Sequence, residues 1–278
     1  MQRHRKFHAQ TLLRLTAVLA FLLVMTGTVA AQVAPPVGPY GFVLNATFNL
    51  PFLHGGAAIG GLMNFDGAGN VSGPYALEMG SGGANPKQSI AGSFTGTYSS
   101  NPDGTGTISM ALDNGDNLTL IMVADNNSRG LQLAATSWCS GPACHLVIAV
   151  VSGVGEAQFN GGVHPIRAGL LNGSYGVLLT KSAPTPGTSL QVVSFDGAGN
   201  VTASGTFVDP GPNVQSGTLT GTYSVNLDGT GTITFPPQAG SLMGQTWAFV
   251  ITSGHSGLLA LQTNRAGDGT LSGIGRLQ

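Results

Sequence analysis

Charge is what this chain has least of: ten Lys/Arg and eleven Asp/Glu among 278 residues, or 8% of the sequence. A nucleic-acid-binding surface needs clustered cations to displace phosphate counterions, so nucleic acid is excluded as a partner. Disorder is not the reading either. Disordered chains pair low hydrophobicity with high charge, and 42% of these residues are hydrophobic. Long helical periodicity is missing, and so are long apolar runs. The longest is Leu15–Met25, which at 11 residues is too short to span a bilayer.

Catalytic signatures are also lacking. There is no His-Glu-x-x-His, no P-loop and no dinucleotide fingerprint. The stretch "GHSG" at Gly254 has neither the spacing nor the strand-to-helix context of a nucleophile elbow. Beyond the first 31 residues four histidines remain, His54, His145, His164 and His255, none paired at ligand spacing. Carboxylates are scarce, and Asp66, Asp103, Asp196 and Asp228 each precede a glycine, where Asp serves a turn. Glu78 and Glu156 are the two glutamates, and neither aligns with an acid in the second half of the chain. No pair of carboxylates can be nominated for acid–base work. We therefore expect no catalytic residue, no cofactor and no enzymatic activity.

Cysteine occurs twice, as Cys139 and Cys144 in the loop "CSGPAC". Redox pairs typically have two intervening residues rather than four, and no second cysteine pair completes a zinc site. The reading is a structural disulfide closed by a Gly-Pro turn, as an oxidising compartment permits.

Such a compartment is what the start of the chain implies. Arg3, Arg5, Lys6 and Arg14 precede the apolar run, and Val29-Ala30-Ala31 places small residues before Gln32. This is the pattern of a secretory signal peptide over residues 1–31, making the mature chain secreted or periplasmic. Six cations against eleven acids then remain, a formal charge of −5.

What the chain has in excess is glycine, 44 residues, roughly double the usual share. The glycines punctuate a repeat. "FDGAGNV" occurs at Phe65 and again at Phe195, "PYGFVLN" at Pro39 matches "SYGVLLT" at Ser174, and "TGTYSSNPDGTGTIS" at Thr95 matches "TGTYSVNLDGTGTIT" at Thr220. "SGVGEAQ" ending at Gln158 matches "SGIGRLQ" ending at Gln278. The offsets fall from 135 to 130, 125 and 120, so the second copy loses five residues between each pair of blocks. Packed strands hold register and loops absorb deletions, so the blocks are strands with their turns. We divide the chain into residues 32–165 and 166–278, joined near Gly161–Leu170.

Within each copy apolar residues alternate with Thr and Ser, as in antiparallel strands wet on one face. About eight strands of seven to nine residues per copy predict two tandem β-barrels, with a β-sandwich as the alternative. Asp-Gly dipeptides mark hairpins, whose twist they match. Asn101, Asp103 and Thr105, repeated as Asn226, Asp228 and Thr230, are weak calcium candidates. They follow the start of an EF-hand loop, but Leu112 and Pro237 stand where a bidentate acid is needed.

The DGxGN and GTYxxNxDGxGT motifs resemble those of secreted bacterial proteins built from similar Gly/Thr-rich β-units, singly or in tandem, without assigned activity. That resemblance covers nearly the whole chain after residue 31 and implies export and a β fold. The strand count makes each copy similar to eight-stranded lipocalin or avidin barrels in fold alone. We expect a structural or partner-binding module acting on an extracellular or periplasmic surface or protein and not embedded in a membrane. The alternative is a carrier of a small apolar ligand inside a barrel.

Overall fold

The computed structural model describes residues 32–50, 53–81, 88–125, 127–140, 145–146, 149–158, 167–181, 187–208, 214–237, 244–252, 256–263 and 271–278. The expected leader, Cys144, His164, His255 and most of the segment joining the copies lie outside them. From Val33 onward the chain forms one compact unit.

The first copy runs β1 (Gly38–Leu50), β2 (Leu53–Phe65), β3 (Asn70–Ser81), β4 (Gln88–Ser100), β5 (Thr105–Leu112), β6 (Asn117–Ala124), β7 (Gly130–Ser140), the short β8 (His145–Leu146) and β9 (Ala149–Ala157). Neighbours pair antiparallel from β1 to β7, β7 pairs with β9, and β9 pairs with β1, closing an eight-stranded barrel. The two-residue β8 rides on the end of β7. The second copy comprises β10 (Asn172–Lys181), β11 (Gly187–Asp196), β12 (Asn200–Val208), β13 (Val214–Val225), β14 (Thr230–Phe235), β15 (Gln245–Thr252), β16 (Gly257–Gln262) and β17 (Leu271–Leu277). It closes through β10 and β17. Both copies are thus barrels, and the sandwich alternative is not what forms. Several strands of the first barrel reach 12 or 13 residues, longer than the seven to nine expected. No helix among the described residues is long and apolar enough to cross a membrane.

The repeated heptapeptide is the hairpin corner between β2 and β3, and again between β11 and β12. Asp66 accepts hydrogen bonds from the Ala68 and Asn70 amides and from the Asn70 side chain; Asp196 does the same with Ala198 and Asn200. Gly67 and Gly69 take φ of +76° and +100°, matched by Gly197 and Gly199 at +75° and +102°, where a side chain would be strained. These bonds hold both aspartates below the usual carboxylate range, with the Asn70 and Asn200 side chains as the largest cause.

The corner also aims its phenylalanine inward. Phe65 stacks edge-on between Tyr40 and Tyr98, at ring separations of 5.3 and 4.9 Å. Phe195 sits likewise between Tyr175 and Tyr223, at 5.5 and 5.0 Å. Such edge-to-face pairs add to simple area burial. Around each triad the inward residues form a separate hydrophobic core: Phe42, Leu44, Phe94 and Leu120 in the first barrel, Val177, Phe235, Trp247 and Phe249 in the second. Buried aromatic and aliphatic side chains project into both interiors.

One end of each barrel carries a plug. The Val33 amide donates to the Pro102 carbonyl, and the Tyr98 hydroxyl donates to the Pro36 carbonyl at 3.2 Å. In the second barrel a 3-10 turn at Ala168–Leu170 takes that place, with the Tyr223 hydroxyl reaching the Ala168 and Leu171 carbonyls. Val33 and Leu171 are buried.

Candidate functional site

The alternation that builds the barrels puts one face of every strand outside, where Ser and Thr dominate. Six outward apolar residues are buried all the same and belong to neither core: Val43 on β1, Ala58 and Leu62 on β2, Val250 on β15, and Leu259 and Leu261 on β16. They lie on strands that meet across the two barrels: β1 and β2 of the first pack against β15 and β16 of the second. Val43, Val250, Leu259 and Leu261, with Gly60, Tyr75 and Ala248, line a cleft of about 180 Å³ between the barrels. Gly41 lets the barrels approach. A Cβ there would lie 2.7 Å from Thr252 Cγ2 and 2.9 Å from Val250 Cγ1.

Polar groups ring this apolar patch. Glu156, at the end of β9, accepts from the Thr252 hydroxyl at 2.9 Å and from Arg276 Nη1 at 2.7 Å through Oε2, while Oε1 takes Arg276 Nη2. The carboxylate raises the guanidinium pKa above its ordinary value, chiefly through these hydrogen bonds. Two parallel bonds make the pair a planar fork of fixed orientation. Ser272 donates to Asn45 Oδ1 at 2.6 Å, and Gln158 Nε2 donates to the Asp228 carbonyl at 2.8 Å.

Sequence reasoning set Glu156 aside for lack of an acid partner in the second copy. Its equivalent there is Arg276, and the opposite charges of the two positions were the signal that they meet. The other glutamate, Glu78, is fully buried on β3.

The calcium candidates form two copies of one corner. The Thr105 amide and hydroxyl both donate to Asp103 Oδ1, at 2.9 and 2.6 Å, and Asn101 Nδ2 donates to Thr105 Oγ1. Asn226, Asp228 and Thr230 repeat every bond. The Thr105 bonds hold Asp103 below its ordinary pKa. Asp103 Oδ1 and Thr105 Oγ1, like Asp228 Oδ1 and Thr230 Oγ1, are thus engaged in closing a β-turn. Among the described residues no group of three or more His, Cys, Asp or Glu is placed to hold a metal ion. His54 lies on β2 and His145 on β8. Cys139 is the penultimate residue of β7 beside Trp138, whose indole donates to Asp116 at 3.3 Å, while Cys144, and with it the expected disulfide, falls outside the described residues.

In comparisons with known proteins, no family model matches the chain and no curated protein shows significant similarity to it.

Proposed function

We propose that the chain is an exported, non-enzymatic tandem-barrel module that works by docking its outer barrel faces onto protein surfaces. The observation that carries this reading is the contrast between inside and outside. Both interiors are packed with aromatic and aliphatic side chains, whereas Leu178, Leu190, Val192, Ile121 and Val123 stand exposed on outward faces. Exposed apolar groups gathered on one face mark contact surfaces in soluble proteins. Elsewhere the exteriors carry exposed Thr and Ser, such as Thr95, Thr97, Thr107 and Ser109, which suits water rather than lipid.

The carrier reading needs an apolar cavity inside a barrel, commonly several hundred Å³ or more. Trp247, Tyr175 and Phe235 occupy that space in the second barrel, and Tyr40, Phe42 and Phe65 in the first. Trp247 is therefore a reporter. Titrating the mature protein with a long-chain fatty acid should leave its fluorescence without a saturable change. A saturable response at one ligand per barrel would defeat the module reading and reinstate the carrier. Export is checked separately: mass spectrometry of the protein recovered outside the cytoplasm should find Gln32 at the N-terminus.

A further inference from the structure

The contact between the barrels is not symmetric. The first barrel contributes β1 and β2; the second contributes β15 and β16, the equivalents of β6 and β7. Identical units joined through two different faces leave one face of each kind unused at the ends. Strand register identifies those leftovers. Val43 and Leu62 correspond to Leu178 and Val192, and Gly60 to Leu190. Val250, Ala248 and Leu261 correspond to Val123, Ile121 and Ala134. Exposure follows the pattern: Val43 and Val250 are each 4% exposed, but Leu178 and Val123 are 50% and 48%.

We infer that the chain associates head to tail with further copies of itself, the β10–β11 face of one docking on the β6–β7 face of the next, as β1–β2 docks on β15–β16 within the chain. The inference rests on reading the barrels as protein-docking modules, and it names the partner.

Pairwise complementarity supports this occupant. Inside the chain Gly60 faces Leu261, whose Cβ lies 3.7 Å from where a Gly60 Cβ would be. Between chains the counterparts are Leu190 and Ala134, so the large residue changes sides and the combined volume stays similar. Gly41, the close-approach position under Val250, keeps its glycine as Gly176, which would meet Val123. Asn45 and Ser272 become Thr180 and Ser152, still able to share a hydrogen bond. At the rim, the place of Glu156 against the neutral Thr252 is taken by Arg276 against Asp125, so opposite charges meet there. A foreign partner would have no reason to compensate each substitution in this way.

The experiment is sedimentation equilibrium of the mature protein from about 1 μM to about 1 mM, a span that reports weak to moderate affinity. The expected result is concentration-dependent mass above the monomer. Leu190→Lys and Ile121→Lys alter exposed side chains only, so each should keep the wild-type circular dichroism and melting curve. Each alone should weaken association at least tenfold. Because each variant spoils a different face, an equimolar mixture of the two should form a 1:1 dimer and nothing larger. Monomer at every concentration would overturn the inference and leave both patches to a foreign protein. Association undiminished in both variants, or no dimer on mixing, would overturn it as well. The fatty-acid titration is independent of all these outcomes, so failure of self-association is distinguishable from failure of the module reading.

Discussion

Glu156 and Arg276 occupy the same place in the two copies, 120 residues apart, and their side chains bind each other across the barrel contact. A duplicated position that had kept one charge would set two like charges face to face there. Glu156→Ala should cost about 1–2 kcal/mol, because it leaves Thr252 buried and Arg276 unpaired. Part of that loss is softened because the Arg276 side chain is 53% exposed. The charge-reversed double variant Glu156→Arg/Arg276→Glu should recover more than half of what either single reversal loses, read by urea denaturation. A double variant worse than the sum of the singles would reject the pairing as a source of stability.

Gly41 and Gly176 are equivalent in sequence and opposite in surroundings. Gly41→Val pushes a side chain into Val250 and Thr252, an overpacking that typically costs about 1–3 kcal/mol. At Gly176 a Cβ meets the flexible Gln278 side chain at 3.2 Å and the Arg276 carbonyl at an ordinary 4.0 Å. Gly176→Val should therefore stay within about 0.5 kcal/mol of the parent in dilute protein. Equal losses at the two sites, seen in parallel denaturation curves, would mean that Gly41 is not an interface residue.

Much of this architecture was legible because its determinants are local. The bonds that close each Asp-Gly corner span two to four residues, so "FDGAGNV" displays its turn wherever it stands. Period-two alternation likewise showed which way Phe94 and Tyr98 face. Closure into barrels was expected from the strand count, but alternation alone could not separate it from a sandwich, since closure depends on β1 meeting β9 and β10 meeting β17. The contact between barrels left a fainter trace. "GLLALQ" is buried along its whole length, while its counterpart "GLQLAA" keeps an exposed glutamine at Gln132. A strand without a wet face, in a copy whose twin has one, is the mark of a second covering layer. The plugs left no trace at all, because "VAPP" and "AGLL" share no residue and act through backbone carbonyls.

Acid should act on the corners. Asp66 and Asp196 have folded pKa values lowered by their hydrogen bonds. A lowered carboxylate adds stability above its unfolded value, about 3.9, and that contribution is lost as pH falls through the folded value. The Asp66→Asn/Asp196→Asn variant should thus be less stable than the parent at pH 7, with the gap narrowing once pH drops below about 4. A gap that stays constant down to acid unfolding would show that the charge of these aspartates does not matter.

Alkali probes the aromatic triads. Burial raises the pKa of all five tyrosines, and it takes Tyr40 and Tyr75 to about 12. For Tyr75 a hydrogen bond to Asp113 adds to the effect. A raised phenol pKa favours the fold below the unfolded value of about 10 and loses that contribution as pH climbs through the folded value. Absorbance at 295 nm should show little phenolate in the native protein at pH 10, where the urea-unfolded chain is about half ionised. Half-ionisation of the native protein at that pH would contradict the packing around Phe65 and Phe195.

The plugs redefine what was copied when this gene segment doubled. Val33 and Ala168 stand 135 residues apart, the same offset as Tyr40 and Tyr175, so the plug belongs to the repeating unit although its residues have diverged. A fragment cut at the first strand, from Asn172, would leave the Tyr223 hydroxyl without its two acceptors and the core without Leu171. Part of the tether between the barrels is therefore also the stopper of the second. An insertion between Arg167 and Leu171 would displace that stopper and uncover the second core.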